Sequence, residues 1–145
     1  MSLERRISLS CPQCQIEREV TVWDSLNAQV SPHAKDELLR GNINMFRCSE
    51  CSFGTSIAVG LMYHDMGLKF VAQYLPFQLI EDDDEATFRS FRSNGSLIME
   101  FPRLIPAQEQ ASYMLHPHIV FRMSELVRYI TYREKLALFH LTGST

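Results

Sequence analysis

The segments CPQC, residues 11–14, and CSEC, residues 48–51, decide the fold of this chain, because each presents two cysteines separated by two residues. A turn with this spacing directs both thiolates at one metal ion, and two such turns supply the four sulfur ligands of tetrahedral Zn²⁺. The sequence therefore predicts one structural zinc site. Its ligands are Cys11, Cys14, Cys48 and Cys51.

Four cysteine ligands complete the coordination of zinc, so no position remains for a reacting water. The predicted site therefore stabilises the fold and does not itself catalyse hydrolysis, and no catalytic residue is assigned. A tetrathiolate site also accepts iron, so the spacing alone does not choose between zinc and iron.

Two other interpretations of the cysteines stay open. The first is a thiol-disulfide oxidoreductase at Cys11 and Cys14, since Pro12 lies between them as in thioredoxin-like motifs. Such a motif needs a helix N-terminus that lowers the pKa of its first thiol, whereas residues 17–23 alternate like a strand. The second interpretation is a set of inert buried thiols. Only the zinc hypothesis gives both pairs a role.

Composition limits the classes of protein to which the chain can belong. A chain of 145 residues, 46% of them hydrophobic, fits a single domain over residues 1–145. The net charge of −3 provides no global positive field for nonspecific nucleic-acid binding. No apolar run approaches the roughly 20 residues that cross a bilayer, and no secretory signal is evident. We therefore expect a cytoplasmic protein that has no membrane partner and keeps its thiols reduced.

The insert between the cysteine pairs predicts a strand, a short helix and a second strand. Residues 17–26 alternate apolar and polar side chains, as a half-buried strand does. Residues 31–41 begin with Ser31 and Pro32 and end on a glycine, which is typical of a short helix. Residues 43–48 then form a strand that leads to the second pair.

Two hairpins are predicted in the middle of the chain. Residues 55–63 and 68–75 are strand-like, and the segment HDMG at residues 64–67 suits a turn. Asn94 and Gly95 mark a second hairpin, since Asn-Gly favours tight turns.

The rest of the chain predicts loops and a final helix. The acidic run EDDDE, residues 81–85, and the Pro-rich residues 102–118 are interpreted as loops. Residues 119–121 are strand-like, and Ser124 and Gly143 then suit the start and the end of a helix with one apolar face.

These elements predict an α+β fold, with a mainly antiparallel sheet that carries a zinc-ribbon-like site of four cysteines at one end. A short inserted helix and a C-terminal amphipathic helix complete it. Within the single domain, residues 1–76 form the zinc-ribbon-like half. Residues 86–145 form the half that contains the second hairpin and the last helix.

The segments CPQC, VWDSLNAQVSP, ELLRGNINMFRCSEC and LMYHD resemble the CpXC domain family, which is named for its CPxC motif. The similarity covers roughly the first 75 residues, and SELV in the last helix more loosely. It supports a metal-binding role for the four cysteines and implies no reaction, because the family has no assigned activity. One residue departs from the pattern: Ser52 stands where such a turn usually has glycine, so we expect this turn to be strained or reshaped.

Two histidine-containing segments are candidates for catalysis or metal binding, but a structural interpretation is favoured for each. General acid-base catalysis is conceivable at Tyr63, His64 and Asp65. The favoured interpretation is that Asp65 accepts hydrogen bonds from the backbone amides of a turn. His116 and His118 suggest a second metal site, but the Pro between them and the lack of a third ligand favour a loop.

Further polar residues are given structural interpretations. Asn42 and Asn44 are expected to form turns. Arg128, Arg133 and Lys135 share the last helix with acidic residues, which indicates a mixed solvated face and not a phosphate-binding stripe.

Three classes of function follow. The first is a structural zinc-binding domain that acts as a protein-interaction or self-association module, because an incompletely covered apolar helix face seeks an unknown protein partner or a second copy of the chain. The alternative is a nucleic-acid-binding zinc ribbon, which the negative net charge disfavours. An enzyme is the least favoured class: it would be a thiol-disulfide oxidoreductase at Cys11 and Cys14, or a hydrolase that uses His64.

Overall fold

A computed structural model describes residues 2–82, 85, 88–98 and 112–142. Its strands form a five-stranded sheet and a two-stranded sheet. In chain order the elements are β1 (Leu3–Ser10), β2 (Glu17–Asn27), α1 (Pro32–Leu39), β3 (Met45–Arg47), β4 (Gly54–Ser56), β5 (Leu61–Asp65), β6 (Phe70–Tyr74), α2 (Phe77–Asp82), a 3-10 helix (Ser112–Leu115), β7 (His118–Val120) and α3 (Met123–Thr142).

The large sheet has the strand order β1-β2-β5-β6-β7, and the small sheet pairs β3 with β4. The antiparallel pairs β1–β2 and β5–β6 extend over eight and five residue pairs. The parallel pairs β2–β5 and β6–β7 extend over three each. The α+β prediction is therefore confirmed, with a sheet that is antiparallel over most of its length and includes two short parallel contacts.

The main core lies between one face of the large sheet and two helices. Leu26 lies opposite Tyr63, and Tyr63 lies opposite Ala72; all three are fully buried. Helix α1 contributes Leu38 and helix α3 contributes Ile130 to the same cluster. The C-terminal helix therefore covers a sheet face, as its apolar periodicity predicts.

A second, smaller cluster lies at the end of the β1–β2 hairpin, against the small sheet. Cys11, Phe46 and Cys48 are buried there, and Val20 and Phe53 pack against them. The four cysteines thus sit in their own small core, separate from the main one.

Most elements expected between residues 17 and 75 are found. Strands β2 and β3, the inserted helix and the first hairpin are confirmed, and Gly41, just past α1, has the positive φ of 78° that its position as a helix stop requires. The single strand predicted over residues 55–63 is wrong, because residues 57–60 separate β4 in the small sheet from β5 in the large sheet. The hairpin turn lies about two residues later than expected, because β5 continues to Asp65. Strand β1 was not expected at all.

The later elements differ more from expectation. Glu81 and Asp82 belong to α2, so the acidic run is not entirely a loop. The second hairpin appears as a bridge between Phe91 and Leu97. Helix α3 begins at Met123, one residue before the Ser124 that was expected to cap it.

Some predictions fall on residues outside the described ranges. Most of the predicted loop at residues 102–118 lies outside them, although its end forms the 3-10 helix and the start of β7. Gly143 also lies outside them. None of the described helices combines the length and the apolar character that a bilayer-spanning segment requires.

Candidate metal centre

Each cysteine pair lies in the turn between two antiparallel strands. The first pair follows β1 and precedes β2, and the second lies between β3 and β4. The two turns face each other, so that the four cysteine Sγ atoms lie within 4.8 Å of one another. The structure therefore brings together all four cysteines singled out in the sequence.

The distances between sulfurs fit a tetrahedral thiolate site. The Sγ atoms of Cys11 and Cys51 are 3.6 Å apart, and those of Cys14 and Cys48 are 3.4 Å apart. A metal–sulfur distance of about 2.3 Å in a tetrahedron places sulfurs about 3.8 Å apart. A disulfide would require about 2.05 Å, and all four thiols are free. The cluster can thus hold one metal ion.

Backbone amides stabilise the first thiolate of each pair. The amides of Cys51 and Glu50 donate hydrogen bonds to Cys48 and lower its pKa to about 6. Burial acts against ionisation of Cys11, but the amides of Cys14 and Gln13 lower its pKa overall. Because a metal binds thiolates and not thiols, these amides prepare the turns to bind an ion.

The second cysteine of each pair behaves in the opposite way. The amide of Phe53 favours the thiolate of Cys51, yet burial and the neighbouring sulfurs raise its pKa to about 12. The pKa of Cys14 is also raised: the amide of Ile16 lowers it, but the Cys48 sulfur and burial outweigh that effect. Four thiolates this close repel one another, so a bound cation is what allows all four to ionise together.

The two turns close in the same manner but differ in backbone strain. The N–H of Cys11 donates to the carbonyl of Ile16 at 3.0 Å, and the N–H of Cys48 donates to that of Phe53 at 2.9 Å. Gln15 has a positive φ of 62°, whereas Ser52 at the matching position is not among the residues with positive φ. The second turn is therefore reshaped without left-handed strain, and the conformation that favours glycine falls on Gln15 instead.

The local geometry does not favour the oxidoreductase hypothesis. The turn that carries Cys11 and Cys14 leads directly into strand β2. None of the described helices begins near this turn, so Cys11 lacks the helix N-terminus on which a thioredoxin-type motif relies.

The structural interpretation of the β5–β6 turn is confirmed. Oδ1 of the buried Asp65 accepts hydrogen bonds from the N–H of Leu68 and from Nε2 of Gln29, both at 2.8 Å. His64 lies on the opposite sheet face, where its Nε2 is 2.9 Å from the hydroxyl of Tyr113 in the 3-10 helix. Burial lowers the pKa of His64. Asp65 therefore holds the turn, and the partner of His64 is Tyr113.

The two histidines around Pro117 do not build a second metal site within the described residues. Among the described residues, the four cysteines are the single group of potential ligands placed closely enough to hold a metal ion. His118 begins β7, and its ring stacks on Tyr129 with the ring centroids 3.9 Å apart.

Sequence reasoning missed one residue that braces the candidate centre. Asn44 is buried and has a positive φ of 54°, which fits the turn predicted for it. Its side chain, however, also binds the backbone of Trp23 in β2, which is far away in sequence. The sequence offers one signal for such a role, an Asn directly before a predicted strand, and its burial is seen only in the structure.

Comparison with known proteins identifies a family. Searches of the curated proteins and of the solved structures returned no significant match. A family model described as CpXC protein matches residues 9–142, which takes in both cysteine pairs, β7 and all of α3. The similarity therefore extends well beyond the first 75 residues, and the chain belongs to the CpXC family.

Proposed function

We propose that Cys11, Cys14, Cys48 and Cys51 bind one Zn²⁺ in a closed structural site. The observation that carries this proposal is the approach of four free thiols to within 4.8 Å. Four thiolate ligands are typical of structural zinc, which needs neither an open position nor redox chemistry.

The role of this ion would be to fasten the β1–β2 and β3–β4 hairpins together. Without it, the contact depends on the bonds of Asn44 to Trp23 and on a small apolar cluster around Phe46, which is buried with Cys11 and Cys48. So few apolar side chains provide little stability on their own. Structural zinc supplies about 10–16 kcal/mol of apparent binding free energy in small domains.

Elemental analysis of protein purified without added metal or chelator tests this proposal. We expect one zinc per chain and four thiols that react only after denaturation or chelation. A metal-free protein whose Cys11 and Cys14 interconvert readily between thiols and a disulfide would contradict it.

For the biological role, we propose a self-association module in which the zinc-stabilised domain presents the end of α3. Near the start of this helix, Leu126 and Ile130 are fully buried. From Tyr132 to its end, five large apolar side chains are exposed. They are Tyr132, Leu136, Leu138, Phe139 and Leu141, with exposed fractions between 37% and 82%.

Three of these exposed side chains lie on a different face of the helix from the one that packs on the sheet. At about 100° per residue, Tyr132, Leu136 and Phe139 form one stripe, and Ile130 points roughly 120° away from Leu136. Leu138 lies between this stripe and the packed face, and Leu141, about 20° from Ile130, continues the packed face toward the end of the helix. An exposed apolar stripe of this kind on a helix marks a surface that a partner can bury.

A second copy of the chain is the partner to which we commit. It presents the same stripe, and two identical helices can cover each other around a twofold axis, which is the commonest symmetry of homo-oligomers. Sedimentation velocity over a series of protein concentrations tests this. We expect a dimer, and a monomer at every concentration would contradict self-association.

A further inference from the structure

A cavity of about 370 Å³ lies beside the β5–β6 turn, far along the chain from the cysteines, and basic and aromatic side chains dominate its walls. It opens between that turn, the segment around β7 and helix α3. The side chains that matter are those of Lys69, Tyr113, His116, His118, Tyr129 and Arg133. No carboxylate is among the described residues that line it.

Among the described residues, the two permanent positive charges of this cavity have no acidic partners. In the described part of the chain, neither Lys69 nor Arg133 forms an ion pair with a carboxylate. The neighbouring Glu134 pairs instead with Lys35 of α1. The cavity is therefore a locally positive region in a chain whose net charge is −3, and its electrostatic potential favours an anionic ligand.

Arg133 is held in place by neutral groups. Its guanidinium lies over the ring of Phe70, with its central carbon 4.6 Å from the ring centroid. Nη1 donates to the hydroxyl of Tyr129 at 3.0 Å, and Nη2 donates to the carbonyl of Leu68 at 3.3 Å. These contacts fix the guanidinium and use two of its five N–H groups, and none of them supplies a negative charge.

The other walls of the cavity are also fixed by contacts within the protein. The rings of His118 and Tyr129 are stacked with an interplanar angle of 2°. The Tyr113 hydroxyl is anchored by Nε2 of the buried His64 at 2.9 Å. Lys69 sits in the turn with a positive φ of 57°, so its backbone is in a defined conformation. A site that is preorganised in this way loses little entropy when it binds a ligand.

We propose that this cavity binds a small phosphate monoester. Such a group carries a charge near −2 and three acceptor oxygens, and Lys69, Arg133 and the two imidazoles offer several donors around one space. A single carboxylate would leave most of these donors unused. The volume lies near the lower end of the range for small-molecule sites, which suits a compact ligand.

Titration calorimetry with the full chain tests the proposal, with three probes: inorganic phosphate, adenosine monophosphate and adenosine. We expect the two phosphates to bind and adenosine not to bind. Lys69→Gln should weaken phosphate binding by about tenfold, because it removes one charge from the cavity. Lys135→Gln removes the same charge from an exposed position on α3 outside the cavity, and should change the affinity less than about twofold.

Amide chemical shifts locate the binding and distinguish the alternatives. Shifts confined to residues 69–71, 113–118 and 129–133 support the proposal. Absence of phosphate binding at about 10 mM ligand would overturn it, as would equal weakening by Lys69→Gln and Lys135→Gln. Equal affinity for adenosine and its monophosphate would show that the site does not recognise phosphate. Salt-dependent binding of a single-stranded oligonucleotide without binding of the monoester would replace the proposal with nucleic-acid recognition.

Discussion

The side chain of Asn44 forms hydrogen bonds with both backbone polar groups of Trp23. Its Oδ1 accepts from the Trp23 N–H at 2.7 Å, and its Nδ2 donates to the Trp23 carbonyl at 3.0 Å. Asn44 lies directly before β3, whereas Trp23 lies in β2. One side chain thus joins the large sheet to the small sheet that carries the second cysteine pair.

Replacement of Asn44 should weaken this connection. We expect Asn44→Ala to lower the free energy of unfolding in urea by about 2 kcal/mol, because two partly buried backbone groups of Trp23 lose their partner. Asn44→Gly should cost a comparable amount, although glycine accepts the positive φ without strain. Asn42→Ala, which removes exposed hydrogen bonds only, should change stability by less than about 0.5 kcal/mol. If Asn44→Gly is as stable as the wild type, the side-chain bonds to Trp23 contribute nothing.

Cys48→Ser should remove the metal and with it the cooperative fold. The hydroxyl is a poor replacement for a thiolate whose pKa the amides of Cys51 and Glu50 lower to about 6. We expect less than one zinc per chain by elemental analysis, and a broad, non-cooperative melt or aggregation. Ser52→Ala changes the same turn without removing a sulfur and should keep both the zinc and a sharp transition. A Cys48→Ser protein with a wild-type melt would show that the site is not structural.

The candidate centre was predictable because its chemistry is local. The spacing of the two cysteines within each CxxC turn is fixed by the local sequence. Only the approach of the two turns to each other depends on the tertiary structure. The brace from Asn44 to Trp23 was not predictable in the same way. A positive φ at Asn is a local preference, but the partner of its side chain is set by the packing of two sheets.

Strand β1 was missed for a related reason. The strand signal in a sequence is alternation of buried and exposed side chains, and residues 3–6 of β1 are all exposed. An edge strand of this kind is held by its pairing with β2 and buries little. Helix α2 begins at Phe77 and includes Glu81 and Asp82. These residues are assigned to a loop from the sequence because they belong to an acidic run, and such runs are usually solvated loops.

His64 should make the stability of the protein sensitive to acid. Burial lowers its pKa, so the folded state keeps the ring neutral at a pH at which the unfolded chain binds a proton. Between the unfolded pKa of about 6.5 and the lower folded pKa, the unfolded state binds more protons, so this contribution to stability is present above about pH 6.5 and is lost as the pH falls from there through the folded pKa. We expect the free energy of unfolding of His64→Gln to decrease less than that of the wild type between about pH 7 and pH 5. The exposed His33 provides the control, and a His33→Gln protein that reproduces the effect would contradict the assignment to His64.

Phe139→Glu should convert the proposed dimer into a monomer. Phe139 is 61% exposed and lies on the stripe with Tyr132 and Leu136, so a carboxylate there would have to be buried between two copies of α3. Analytical ultracentrifugation is the measurement. Ser124→Glu adds the same charge at the exposed start of α3, away from the stripe, and should stay dimeric. Both variants should keep their zinc, because neither contacts the cysteines. A wild-type chain that sediments as a monomer at about 100 µM would contradict self-association, and a Phe139→Glu dimer would place the interface elsewhere.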